Sequence, residues 1–114
     1  MASRGEDKTD LLQGALELLV LQILQWGPHH GYAITHAIRQ RSDELLRVET
    51  GSLYPALHRL ERSGRIKSEW KTSGNKQRVK QYRITAAGRK KLSDGRSRWN
   101  ELAAAIGAIL NPQE

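Results

Sequence analysis

Residues 50–64, TGSLYPALHRLERSG, decide how this chain is read. Leu53, Leu57 and Leu60 recur at i, i+4 and i+7, the spacing of one helical face. Pro55 lies inside the same segment and lacks an N–H, so it belongs near a helix start, where that donor has no internal acceptor. The helix is therefore expected to begin near Thr50 or Ser52, both good capping residues. Gly64 is expected just past its end, where a left-handed conformation is needed. Opposite the leucines lie Gly51, Tyr54, Pro55, His58, Arg59 and Arg62. That face carries hydroxyls, an imidazole and guanidinium groups, a set suited to base edges and phosphates.

Two shorter helical patterns precede this one. Leu11, Leu12, Ala15, Leu18, Leu19, Ile23 and Trp26 repeat at three and four, with Leu16, Val20, Leu21 and Leu24 on further faces. A helix that is apolar on so many sides is expected to be wholly buried or shared with a second chain. Thr9 or Asp10 is the expected cap, and Gly27-Pro28 the stop. A second helix restarts at Gly31-Tyr32 with Ala33, Ile34, Ala37 and Ile38. Leu45, Leu46 and Val48 are expected to form a short helical turn and an extended bridge to residue 50.

Beyond Gly64 the period changes to two. Ile66, Ser68 and Trp70 alternate with charged residues, and Tyr82 and Ile84 share one face of the segment that follows. Gly74-Asn75 between them signals a turn, which predicts a two-stranded hairpin with a basic tip. Residues 85–111 form a last helix, capped by Thr85 and stopped near Asn111-Pro112. Leu92, Trp99, Leu102, Ile106 and Ile109 make its apolar stripe. Three glycines inside it each cost about 1 kcal/mol against alanine, so packing must hold it.

The 114-residue chain carries a net charge of +7, but residues 51–100 hold 14 Lys and Arg against 3 Asp and Glu. A block of this kind concentrates field where a polyanion can dock, although a solvated basic surface has the same composition. There is no cysteine, which excludes disulfides and thiolate metal sites and fits a reducing, cytoplasmic compartment. No apolar run is long enough for a bilayer, and residues 1–9, read as a flexible N-terminus, lack a signal-peptide core. His29, His30 and His36 have no cysteine or spaced carboxylate set to complete a metal site, and no nucleophile turn or P-loop pattern points to catalysis. No cofactor is expected.

Three helices followed by a basic hairpin is the order of a winged helix-turn-helix. The fold class expected is mainly α with a small β-hairpin: a winged helix-turn-helix at residues 10–84, then a C-terminal dimerisation helix at 85–111. The third helix would meet double-stranded DNA through Thr50, Ser52, Tyr54, His58, Arg59 and Arg62. Lys71, Asn75, Lys76, Arg78 and Lys80 of the hairpin would meet the flanking backbone, adding salt-sensitive affinity. Leu16, Leu92, Trp99, Leu102, Ile106 and Ile109 are the candidate self-association residues. A protein-interaction adaptor and a nonspecific architectural DNA protein are alternatives that this pattern also accommodates.

The segments GPHHGYAITHAI, VETGSLYPALHRLERSGRI and EWKTSGNKQRVKQYRITAAGRKKL, in this order and spacing, resemble the PadR family of bacterial transcriptional regulators, in its short subgroup with one C-terminal helix. The resemblance spans about residues 11–110. It implies a homodimeric repressor on a roughly palindromic operator, with the third helix in the major groove and the wing on the minor groove or backbone. It further implies that Ser52, Tyr54, His58 and Arg59 reach the groove. In multidrug-binding members a tryptophan on the last helix stacks on flat ligands, so the resemblance allows Trp99 a role toward a small aromatic effector. Plain interface packing is the alternative for that residue.

Overall fold

A computed structural model describes the backbone of residues 4–113 and the side chains of residues 14–113. The chain forms α1 (Arg4–Gln25), β1 (His29–His30), α2 (Gly31–Arg41), α3 (Thr50–Arg62), β2 (Ile66–Thr72), β3 (Arg78–Ile84) and α4 (Ala86–Leu110). The strands make an antiparallel sheet in the order β1-β3-β2. The expected architecture, a winged helix with a long C-terminal helix, is the one observed.

Among the described residues the core is a single cluster. Val20, Leu21, Ile23 and Leu24 of α1 meet Ile34 and Ile38 of α2, Leu53, Ala56, Leu57 and Leu60 of α3, and Ile66, Tyr82 and Ile84 of the sheet. Leu16 and Leu92 belong to this cluster too, at 9% and 2% exposure, which corrects their assignment to a surface shared between chains. The side of α1 that faces inward is thus the Leu16, Val20, Leu21, Leu24 side, with Leu18 and Leu19 only partly buried against it. One chain's core absorbs more of this helix than its all-round apolar pattern suggests.

Several element ends differ from expectation. Helix α1 is already formed at Arg4, so Thr9 and Asp10 lie within it rather than capping it, and residues 4–9 are helical. The remainder of the expected flexible segment, residues 1–3, lies outside the described residues. Helix α3 starts at Thr50, as expected, but its cap position is Glu49, whose side chain makes no capping bond; neither Thr50 nor Ser52 is the cap. Pro55 therefore sits in the second turn, where its missing N–H leaves the Gly51 carbonyl without its usual donor. Leu45 is 82% exposed in an irregular link, not in a helical turn.

The α3 terminus follows expectation. Gly64 has φ +75°, Gly64 N–H donates to the Glu61 carbonyl at 3.0 Å, and Arg65 N–H to the Leu60 carbonyl at 2.9 Å. This closure joins the wing to the last helix. Thr85 caps α4 by accepting from Gly88 N–H at 3.1 Å, while its hydroxyl donates to the Gly64 carbonyl at 2.7 Å. A Cβ on Gly88 would stand 2.1 Å from the Arg65 carbonyl oxygen, so only glycine permits this approach.

His29 and His30, just past the Gly27-Pro28 stop, form a third strand that the two-stranded hairpin reading lacks, by pairing with Tyr82 and Gln81 of β3. They also have local work. His29 Nδ1 bonds the Gly27 carbonyl at 2.7 Å, and His30 Nδ1 accepts from Ala33 N–H at 3.3 Å as the cap of α2. A two-residue strand has no periodicity to announce it. No helix among the described residues is long and apolar enough to cross a membrane.

Candidate nucleic-acid interface

The core packing of α3 determines what it offers outward. With Leu53, Ala56, Leu57 and Leu60 buried, Thr50, Gly51, Ser52, Tyr54, Pro55, His58 and Arg62 are exposed. The Glu49 carbonyl accepts from Ser52 and Leu53 at 3.0 and 2.9 Å. The N–H groups of Thr50 and Gly51 lie ahead of those bonds, with the positive end of the helix dipole behind them.

Arg59 does not share that face. Its Nε donates to Glu17 Oε2 at 2.9 Å, and the two side chains are 33% and 24% exposed. The guanidinium is spent tying α3 to α1. Tyr54 is half-exposed, but its ring lies over the start of α2, where a Cβ on Gly31 would come within 2.6 Å of its hydroxyl. Tyr54 is therefore both a packing residue and a cleft residue.

Strand register sorts the wing into two faces. Ile66 pairs with Ile84, Ser68 with Tyr82, Trp70 with Lys80 and Thr72 with Arg78, so these eight side chains share one side of the ribbon. That side turns toward α3. Glu61 of α3 accepts from the Ser68 hydroxyl and stands 3.8 Å from the Lys80 ammonium, which also lies 5.8 Å from the centre of the Tyr82 ring. Burial first, then the Glu61 carboxylate and Tyr54, push the Tyr82 phenol above its ordinary pKa of 10.0. Lys71 falls on the other side of the ribbon, 3.4 Å from Glu69, and is not brought together with α3.

The turn signalled by Gly74-Asn75 is present at the wing tip, within a three-residue loop of residues 74–76. Lys76 N–H donates to the Ser73 carbonyl at 2.9 Å and Ser73 N–H to the Gln77 carbonyl at 2.7 Å. The residue that reverses the chain is Lys76, at φ +66°, a position that normally favours glycine. Asn75 is tied to the loop itself, its Oδ1 accepting from the Ser73 hydroxyl and from Gln77 N–H at 3.4 Å. Lys76 and Arg78 are the exposed cations of the tip.

Between α3 and the wing lies an open cleft of about 800 Å³, lined by Tyr54, His58, Trp70, Asn75, Arg78 and Lys80 among others. The alternation that includes Trp70 in the sequence gives it no binding role. Its signal was present, a large aromatic on the strand's alternating side, but the pattern reads equally as core. The structure leaves it 58% exposed with the Arg78 guanidinium 5.0 Å from its ring centre.

A second groove, about 670 Å³, runs between α1 and α4 and is lined by Ala15, Glu17, Leu18, Leu21, Trp99 and Leu102 with others. Past Gly95, whose backbone abuts Leu18, helix α4 leaves the core. Trp99, Leu102 and Ile106 are 46–48% exposed and Ile109 is 78% exposed.

A sheet-edged wing beside an exposed, partly cationic third helix defines the winged-helix class. The model of the transcriptional regulator PadR-like family matches residues 20–94, and the chain belongs to that family. The transcriptional regulator Rv3488 of Mycobacterium tuberculosis is 36% identical over 95 residues, covering 82% of this chain and 84% of that protein. A solved transcriptional regulator from Clostridium thermocellum is similar with a TM-score of 0.81 at 32% identity, covering 90% of this chain and 99% of that one. A PadR family transcriptional regulator from Eggerthella lenta gives 0.74 at 32% identity, covering 96% and 93%.

Proposed function

We propose that this PadR-like regulator is a homodimeric, sequence-specific repressor that acts on double-stranded DNA in the cytoplasm. The observation that carries this reading is the placement of α3 and the wing on either side of one cleft, with His58 and Arg62 exposed on the helix and Lys76 and Arg78 at the wing tip. In this arrangement α3 enters the major groove, Ser52, Tyr54 and His58 approach base edges, and Thr50 and Arg62 approach phosphate. The wing cations follow the adjoining backbone. Base contacts give sequence choice and phosphate contacts give affinity.

Dimerisation is supported by the apolar second half of α4, where Trp99, Leu102 and Ile106 stay about half exposed and Ile109 mostly exposed. Residues 10–84 then act as the reader and 85–111 as the joining helix. A two-fold axis would set half-sites about one helical turn, roughly 34 Å, apart on a near-palindromic operator. The groove between α1 and α4 gives a small aromatic effector a place against Trp99, from which it would relieve repression.

Selection of bound sequences from a random duplex pool tests the reading. A recovered palindromic site that lowers transcription from its promoter when the protein is added supports it. Equal binding to selected and scrambled duplexes overturns it in favour of an architectural DNA protein or an adaptor whose basic face serves an acidic protein.

A further inference from the structure

Trp70 is unexplained by packing. It lies four residues beyond Ile66 on the cleft side of β2, where the neighbouring positions toward the tip are polar, and more than half of its surface meets solvent. Its register partner is Lys80, yet the cation over its ring is Arg78, the diagonal neighbour across the ribbon, at 5.0 Å from the ring centre. Lys80 is drawn instead to Glu61 and the Tyr82 ring. Arg78 forms no ion pair among the described residues, so its charge is held in place by the indole and is not neutralised.

Stacking uses the face of a guanidinium and leaves its N–H edge free. An unrestrained arginine loses rotamer freedom when it closes on a phosphate, and ordering it beforehand removes that cost from binding. The indole can order Arg78 in this way without quenching its charge, which a carboxylate partner would do. We propose that Trp70 is a positioning residue for DNA binding: it holds the Arg78 guanidinium at the mouth of the cleft, N–H edge outward, to receive a phosphate oxygen of the duplex backbone that flanks α3. The inference rests on the DNA-binding reading given above and names the wing contact that reading requires.

The test is a double-mutant cycle on duplex affinity measured across a salt series. Trp70→Leu keeps an apolar side chain but removes the π face. It is expected to weaken binding about two- to fivefold, the size of an exposed cation–π contact. The salt slope should stay unchanged, because Arg78 keeps its charge. Trp70→Phe should fall between wild type and Trp70→Leu. Arg78→Ala should weaken binding to selected and scrambled duplexes alike and lower the slope by about one. In the Arg78→Ala background, Trp70→Leu should change nothing further. An equal Trp70→Leu loss with and without Arg78, or wild-type binding by Trp70→Leu, overturns the proposal while leaving DNA binding intact. A reduced slope in Trp70→Leu alone also overturns it, by showing that the variant has lost the wing and not the positioning. Wild-type protein that shows no salt-dependent duplex binding overturns the underlying reading and this proposal with it.

Discussion

Arg59 and Glu17 lie 42 residues apart in sequence and meet at 2.9 Å, so the third helix is pinned to the first by an ion pair at its inner flank. Both side chains keep partial access to water, which limits the contribution of the pair to about 1 kcal/mol. Arg59→Ala is expected to lower thermal stability by about that amount and leave base preference unchanged. His58→Ala should do the reverse, sparing stability and relaxing preference in each half-site. Denaturation curves and competition with scrambled duplexes separate the two. Loss of base preference in Arg59→Ala would return that residue to the reading face.

Lys76 combines a charge with an unfavourable backbone conformation at φ +66°. Lys76→Ala removes only the charge and should lower affinity for all duplexes alike, with the salt slope reduced by about one. Lys76→Gly removes the same charge and relieves the left-handed strain, worth about 1 kcal/mol. It should bind like Lys76→Ala and melt at a higher temperature. Equal melting temperatures would show that the tip relaxes in solution.

Two residues of the last helix have opposite surroundings. Leu92 is 2% exposed in the chain's own core, whereas Trp99 is 46% exposed beyond it. Leu92→Ala is expected to cost about 2–5 kcal/mol of folding stability. Trp99→Ala should leave each chain folded and shift sedimentation toward monomer. An intact Trp99→Ala dimer at low micromolar concentration would move the seam elsewhere on α4.

Tyr82 supplies a pH dependence with a definite sign. Its phenol is raised above 10.0 in the folded chain, first by burial and then by Glu61 and Tyr54. Below the ordinary value the phenol is neutral in both states and its contribution is fully present. As pH rises past 10 the unfolded chain releases its proton first, and stability falls until the folded phenol ionises as well. Tyr82→Phe should flatten that part of the alkaline decline, as followed by thermal melts at stepped pH. An unchanged alkaline profile would show that other groups carry it.

Much of this architecture was legible in local spacing. Leucines at three and four, Gly64 after the third helix, Thr85 before the fourth and the switch to period two at Ile66 are short-range steric and hydrogen-bonding requirements, which a linear sequence displays directly. Pro55 points to the observed start at Thr50 but not to the capping residue. Glu49, a residue of weak capping character, takes that position. The third strand was invisible because His29 and His30 become a strand only by borrowing the edge of β3.

The candidate site divides along the same line. The helix face bearing His58 and Arg62 and the basic tip at Lys76 follow from periodicity and from charge density along the chain. That Arg59 belongs to Glu17, that Lys71 points to the far side of the ribbon and that Trp70 carries Arg78 depend on register and on contacts across the fold. So does the identity of the α1 face that packs inward: a helix apolar on several sides presents equivalent patterns, and only the neighbours it meets make Leu16 core and leave Leu18 and Leu19 partly buried. Local order needs only adjacent residues to be compatible. Partnership between distant residues exists once burial has brought them within a few ångströms, where direction and dielectric determine which pairs form.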